Sequence, residues 1–99
     1  MKTTLSLSGL AGNSIEIFKG EKMSVGRFPL AVRKQVFEEG AWKTVTSWHQ
    51  VVLFGQWAES VRQLVGKGCR ITVNGYNREK TYNGKLYREI VATSLSFSC

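Results

Sequence analysis

Ninety-nine residues hold one hydrophobic core, since a second core would need more chain to bury its own apolar surface. An apolar fraction of 42% and a charged fraction of 21% describe a folded globular chain and exclude a disordered polyelectrolyte. Fourteen Lys and Arg against seven Glu and no Asp leave a net charge of +7, a field that attracts polyanions.

The opening MKTTLSLSGLAG carries a single charge, Lys2, and its Ser and Thr interrupt the apolar residues. It lacks the continuous apolar segment of a secretory signal, and no later run approaches the ~18 residues of a membrane span. A cytoplasmic protein with no membrane contact is expected, as one domain over residues 1–99. Leu5 and Leu7 alternate with Ser6 and Ser8, glycines interrupt at Gly9 and Gly12, and alternation resumes at Ile15 and Ile17. This predicts one long first strand, bent at the glycines. Gly20 to Lys22 reads as a turn. A second strand places Phe28, Leu30 and Val32 on one face, with Ala31 and Arg33 on the other. Pro29 lacks a donor N–H, so it belongs at an edge or a bulge.

Glu38-Glu39-Gly40 predicts a hairpin loop, and Val45 to Phe54 a third strand that becomes apolar on both faces. The period then changes. Trp57, Val61, Leu64 and Val65 form one stripe of a short helix, with Gly66 placed as its C-terminal cap. Cys69, Ile71 and Val73 alternate with Arg70, Thr72 and Asn74 in a fourth strand ending at Gly75. Arg78 to Gly84 is polar, and Asn83-Gly84 is a strong hairpin signal. The last strand runs from Leu86 to Phe97.

Three strands, a short helix and two strands is the order of an all-β, five-stranded Greek-key OB barrel, whose helix lies between strands three and four. No chemistry of catalysis can be assembled from these residues. His49 is the sole histidine and has no Asp partner, so it reads as a structural hydrogen-bonding residue. Cys69 and Cys99, the only cysteines, are too few and too far apart for a zinc site or a disulfide framework. Cys69 is expected to be a small buried hydrophobe, and Cys99 free to crosslink chains in air. No metal, cofactor or enzymatic activity is expected.

At TSWHQVVLFGQWAESV (Thr46 to Val61) and KGCRITVNGY (Lys67 to Tyr76) the chain resembles the bacterial single-stranded-DNA-binding protein family. Trp48-His49, Val51-Val52 and Phe54-Gly55 fall in the register of that family's central strand, and Leu5 to Gly9 resembles its opening strand more weakly. The small primosomal protein of replication restart shares this fold and matches the chain in size. The resemblance implies strand binding without sequence preference, in replication, recombination or repair, by a homo-oligomer (dimer or tetramer). It also admits an alternative, an interaction module for replication proteins that binds DNA weakly. The chain departs from the family at the first bend, where Asn13-Ser14-Ile15 replaces Asp-Pro-Glu, and at Tyr82, where Trp is common. No acidic residue follows Glu89, so partner recruitment through an acidic tail is not expected.

A single strand exposes base faces and phosphates together, and a binder meets them with aromatic platforms among cations. Arg33, Lys34 and Phe37 lie on one side of the first expected hairpin, with Trp42 and Lys43 on the other. Arg78, Lys80, Tyr82, Lys85 and Arg88 surround the second. In OB folds these two loops flank the nucleic-acid groove. Trp48 and Phe54 match stacking positions of the family, although each also suits a core. Trp57 reads as helix packing, Trp42 suits stacking or a subunit contact, and Tyr76 and Tyr87 have no assigned role.

Overall fold

The expected bend divides the first strand in two. In the computed structural model, which describes residues 4–99, β1 (Thr4–Ala11) and β2 (Glu16–Lys19) flank it. Lys2 lies outside the described residues. The remaining elements are β3 (Ser24–Glu38), β4 (Ala41–Phe54), α1 (Gln56–Leu64), β5 (Arg70–Tyr82) and β6 (Lys85–Ser98). The strand order β1-β5-β6-β4-β3-β2 closes through a β1–β3 pairing at Leu10↔Ala31 and Ala11↔Leu30. With β1 and β2 counted as halves of one bent strand, this is the five-stranded OB barrel. No helix among the described residues is long and apolar enough to cross a membrane.

Pro29 sits where β3 exchanges its neighbour β2 for β1. Its carbonyl accepts the Gly12 N–H at 2.8 Å. A strand residue presents its N–H and carbonyl to the same side, so the missing donor faces the bend and no ladder bond is lost.

The barrel interior is filled by Phe28 and Leu30 of β3, Val51 and Leu53 of β4, Ile71 and Val73 of β5, and Ile90 and Ala92 of β6. Helix α1 covers one end, burying Ala58 and Val61, and Val65 just past its last residue is buried with them. The apolar stripe is therefore rotated from the expected one: Val61 and Val65 are core, but Leu64 is exposed and Trp57 partly so. The Gly66 cap is also corrected. Val65 ends the helix in an extended conformation, its N–H donating to the Val61 carbonyl, and the left-handed glycine is Gly68.

Both hairpins are longer than expected. The third strand starts at Ala41 rather than Val45, and the fourth continues past Gly75 to Tyr82. Gly75 is not an end: the register shifts between Asn74 and Gly75, where Thr93 on β6 is the extra, unpaired residue of a bulge. A side chain at Gly75 would collide with the Val91 carbonyl. The turns shrink to two residues each, Glu39-Gly40 and Asn83-Gly84, with φ of 51° and 77°, and 51° and 75°. Positive φ at both central residues is the type I′ geometry that matches strand twist.

Cys69 is buried as expected, but it is not a free thiol. Its sulfur is bonded to that of Cys99, within the chain rather than between chains. Strand register explains the pairing. β5 and β6 begin their ladder at Arg70↔Ser98, so the next pair outward is Cys69 and Cys99.

Candidate nucleic-acid interface

The unbroken β3–β4 ladder, from Val25↔Phe54 to Glu38↔Ala41, fixes which side chains share a face. Directly opposed residues point to the same side, and successive residues alternate. Phe28, Leu30, Val51 and Leu53 face the core, so Arg27, Arg33, Phe37, Trp42, Trp48, Gln50 and Phe54 all belong to the outer face. Sequence spacing alone put Arg33, Phe37 and Trp42 at one hairpin and Trp48 and Phe54 on a strand; the register puts them on one surface.

The same surface continues across β6 and β5. β4 and β6 pair only at Val51↔Ile90 and Val52↔Val91, with Val51 and Ile90 in the core and Val52 and Val91 outward. Glu89 and Tyr87 alternate with core-side Ile90 and so are outward too. Their partners Arg78 and Lys80, then Tyr82 and Lys85, complete the outer face. Beyond the short β4–β6 contact, the two hairpins run on as separate arms. Two hollows of about 450 and 440 Å³ open between them, with Gln50 and Glu89 in the walls of both.

Four aromatic side chains on this surface are too exposed for a core role: Trp42 at 69%, Trp48 and Tyr82 at 62% each, and Phe37 at 60%. Phe37 and Trp42 oppose each other near one arm's tip, ring centroids 5.3 Å apart and planes tilted by 57°. The Trp48 ring lies over Gly12, where an added Cβ would sit only 2.9 Å from the indole Cη2. Phe54 is half-buried, with the Arg78 guanidinium 5.4 Å from its ring centre.

The expected cations divide. Arg33, Arg78, Lys80 and Lys85 share the aromatic face. Lys34, opposite Val45, and Lys43, opposite Val36, lie on the reverse of their arm, and Lys43 pairs with Glu38 at 3.9 Å. Arg88 alternates with Tyr87 and Glu89 onto the other side of its arm, 3.5 Å from Glu79, and lines both hollows. His49, opposite Leu30, lines the second hollow.

Arg78 is not a loose surface charge. Its Nη2 donates to Glu89 Oε1 at 2.7 Å, while Arg27 Nε donates to Glu89 Oε2 at 3.1 Å. Glu89 is 6% exposed, the one buried charged residue among those described. Burial by itself would raise its pKa; the hydrogen bond from Arg78 and the charges of Arg27, Arg78 and Lys80 outweigh this and hold it below the ordinary carboxylate value. Spacing alone assigns no binding role to Arg27, Gln50, Tyr87 or Glu89. A signal for three of them existed: Asn83-Gly84 as a two-residue turn forces Lys80↔Tyr87 and Arg78↔Glu89 by counting back along the ladder, and Arg33 leads to Arg27 by period-2 spacing. Among the described residues no group of three or more His, Cys, Asp or Glu could hold a metal ion.

Comparison with solved structures places this geometry. A deletion variant of the single-stranded DNA binding protein from Thermus aquaticus superposes with a TM-score of 0.86 at 21% identity, over 96% of this chain. This chain spans 49% of the length of that protein. A small single-stranded DNA-binding protein from Streptomyces coelicolor superposes with a TM-score of 0.74 at 17% identity, over 99% of this chain and 95% of its own. No curated protein matches at the level of sequence. At such identities the superpositions speak for the fold. The sequence family model described as the single-strand binding protein family matches residues 3–98. A match over that length, on a barrel of that topology, means that the chain belongs to the single-strand binding protein family.

Proposed function

We propose that this protein binds single-stranded DNA without sequence preference, stacking bases on Phe37, Trp42, Trp48, Phe54 and Tyr82 while Arg33, Arg78, Lys80 and Lys85 meet the phosphates. The observation that carries the reading is the sharing of one outer face by all nine residues, across both arms. Any base can stack on a ring, and about 1–3 kcal/mol per stacked base needs no hydrogen-bond readout. Family membership supports the same reading, and with it assembly as a homo-oligomer in replication, recombination or repair.

Titration with oligo-dT, following tryptophan emission at two salt concentrations, tests it. Quenching at low salt that weakens at high salt is expected, because stacking perturbs the indoles and phosphate contacts release counterions. A folded protein with unchanged emission and no bound strand would sink the proposal.

A second reading, docking to a replication protein, draws on the reverse faces of the arms. There Val45 and Leu86 are exposed on the faces that also carry Lys34 and Lys43, away from the stacking side. Capture of a purified helicase or primase at salt that abolishes DNA binding supports it, and no capture removes it.

A further inference from the structure

Phe18 has no part in the site described above, yet it lies on the same face. In the ladder of three strands, Phe18 opposes Val25 and Val25 opposes Phe54. All three point outward, because the intervening Gly26 and Ile17 turn toward Ile15 and Ala58 inside. Phe18 is 51% exposed, so about half of its ring stays in water.

What lies over that ring is a cation. The Arg27 guanidinium carbon is 5.8 Å from the Phe18 centroid, as Arg78 is 5.4 Å from that of Phe54. One carboxylate, Glu89, anchors both arginines. The two rings are thus equipped alike: an outward phenyl, a guanidinium over it, and a shared buried anchor that keeps each cation from swinging into solvent. A guanidinium beside a ring offers an unpaired base a second flat surface and its phosphate a charge.

From this arrangement we infer that Phe18 and Arg27 form a further subsite for one nucleotide of the bound strand, extending its path from Phe54 onto β2. Glu89 is a positioning residue for this subsite and does not touch the strand. The subsite rests on the strand-binding reading and lengthens the path it describes. A short strand satisfied between Trp42 and Phe54 does not reach it; a long one does.

Affinity for oligo-dT of graded length, measured for the native protein and for Phe18→Leu, tests the subsite. Leucine keeps an apolar side chain at a half-exposed position, and an unchanged melting temperature confirms the fold. The expected result is a loss of roughly fivefold or more for long strands, the lower end of one lost stacking contact, and no change for the shortest strands that bind. In parallel, Phe18→Trp places a fourth indole at the subsite, and its added emission is expected to be quenched by long strands only. Equal binding of the native protein and Phe18→Leu at every length overturns the subsite and leaves strand binding standing, as does unquenched added emission beside normal native quenching. Failure of the native protein to bind any strand overturns both.

Discussion

Trp48 is held by a residue that has no side chain. Its indole occupies the space above Gly12 that a Cβ would fill. Stacking needs a platform whose plane is already set, since ordering it on binding costs free energy. Gly12→Ala is therefore expected to push the indole aside, cutting oligo-dT quenching and affinity while the melting temperature moves little. Trp48→Ala removes the platform and is expected to cost about 1–3 kcal/mol of binding, read in the same titration. If Gly12→Ala leaves quenching intact, Trp48 does not depend on that contact. Glu89 acts on stability as well as on position. Its pKa is lower in the folded protein than in the unfolded chain, so the unfolded chain takes up its proton first as pH falls. Its contribution is complete above the unfolded carboxylate pKa of about 4.3 and is lost as pH drops through the lower folded value. Denaturant midpoints are expected to fall in that acidic window for the native protein, and to fall less steeply for Glu89→Gln, which is already weaker at neutral pH because two guanidiniums lose their anchor.

At the scale of elements, the β5–β6 hairpin is closed at both ends: by the Asn83-Gly84 turn at its tip and by Cys69–Cys99 at its base. The crosslink spans 30 residues, for which loop entropy predicts about 3–4 kcal/mol. Cys99→Ser is expected to lose most of this in denaturant unfolding, with oligo-dT affinity of the folded protein unchanged, because the binding face lies toward the other end of the hairpin. A matching loss of affinity would show that the base of the hairpin sets the arm's position. The tip was legible from two residues, since Asn-Gly demands one turn type. The base was not, because the pairing of Cys69 with Cys99 appears only once the bulge at Thr93, opposite Asn74 and Gly75, is counted into the register. The arms were read as loops for a similar reason. Thr44, Lys80 and Thr81 are polar on strands that leave the barrel, so both their faces meet solvent and alternation vanishes. In α1 the period was legible and its phase was not: the residue buried deepest is Ala58, too small to announce itself beside Trp57.

At the scale of the whole molecule, net charge and the placement of charge make different predictions. A field of +7 steers any polyanion toward the protein, whichever face the cations occupy. Counterion release depends instead on cations that meet phosphate. Seven Lys and Arg were expected at the two hairpins, which for a single strand gives a slope of log K against log salt of about −5 per protomer. The register leaves Arg33, Lys80 and Lys85 on the aromatic face with no ion pair among the described residues, and spends one unit of the Arg27–Arg78 pair on Glu89. Three or four effective contacts give a slope of about −2 to −3. The discriminating comparison is between two double variants of equal net charge. Arg33→Gln with Lys80→Gln is expected to flatten the slope by about 1.4, two contacts at about 0.7 each. Lys34→Gln with Lys43→Gln removes the same charge from the reverse face and is expected to slow association at low salt while leaving the slope in place. Equal flattening by both pairs would mean that the strand wraps around the arms and meets both faces, and the one-sided surface would have to be abandoned.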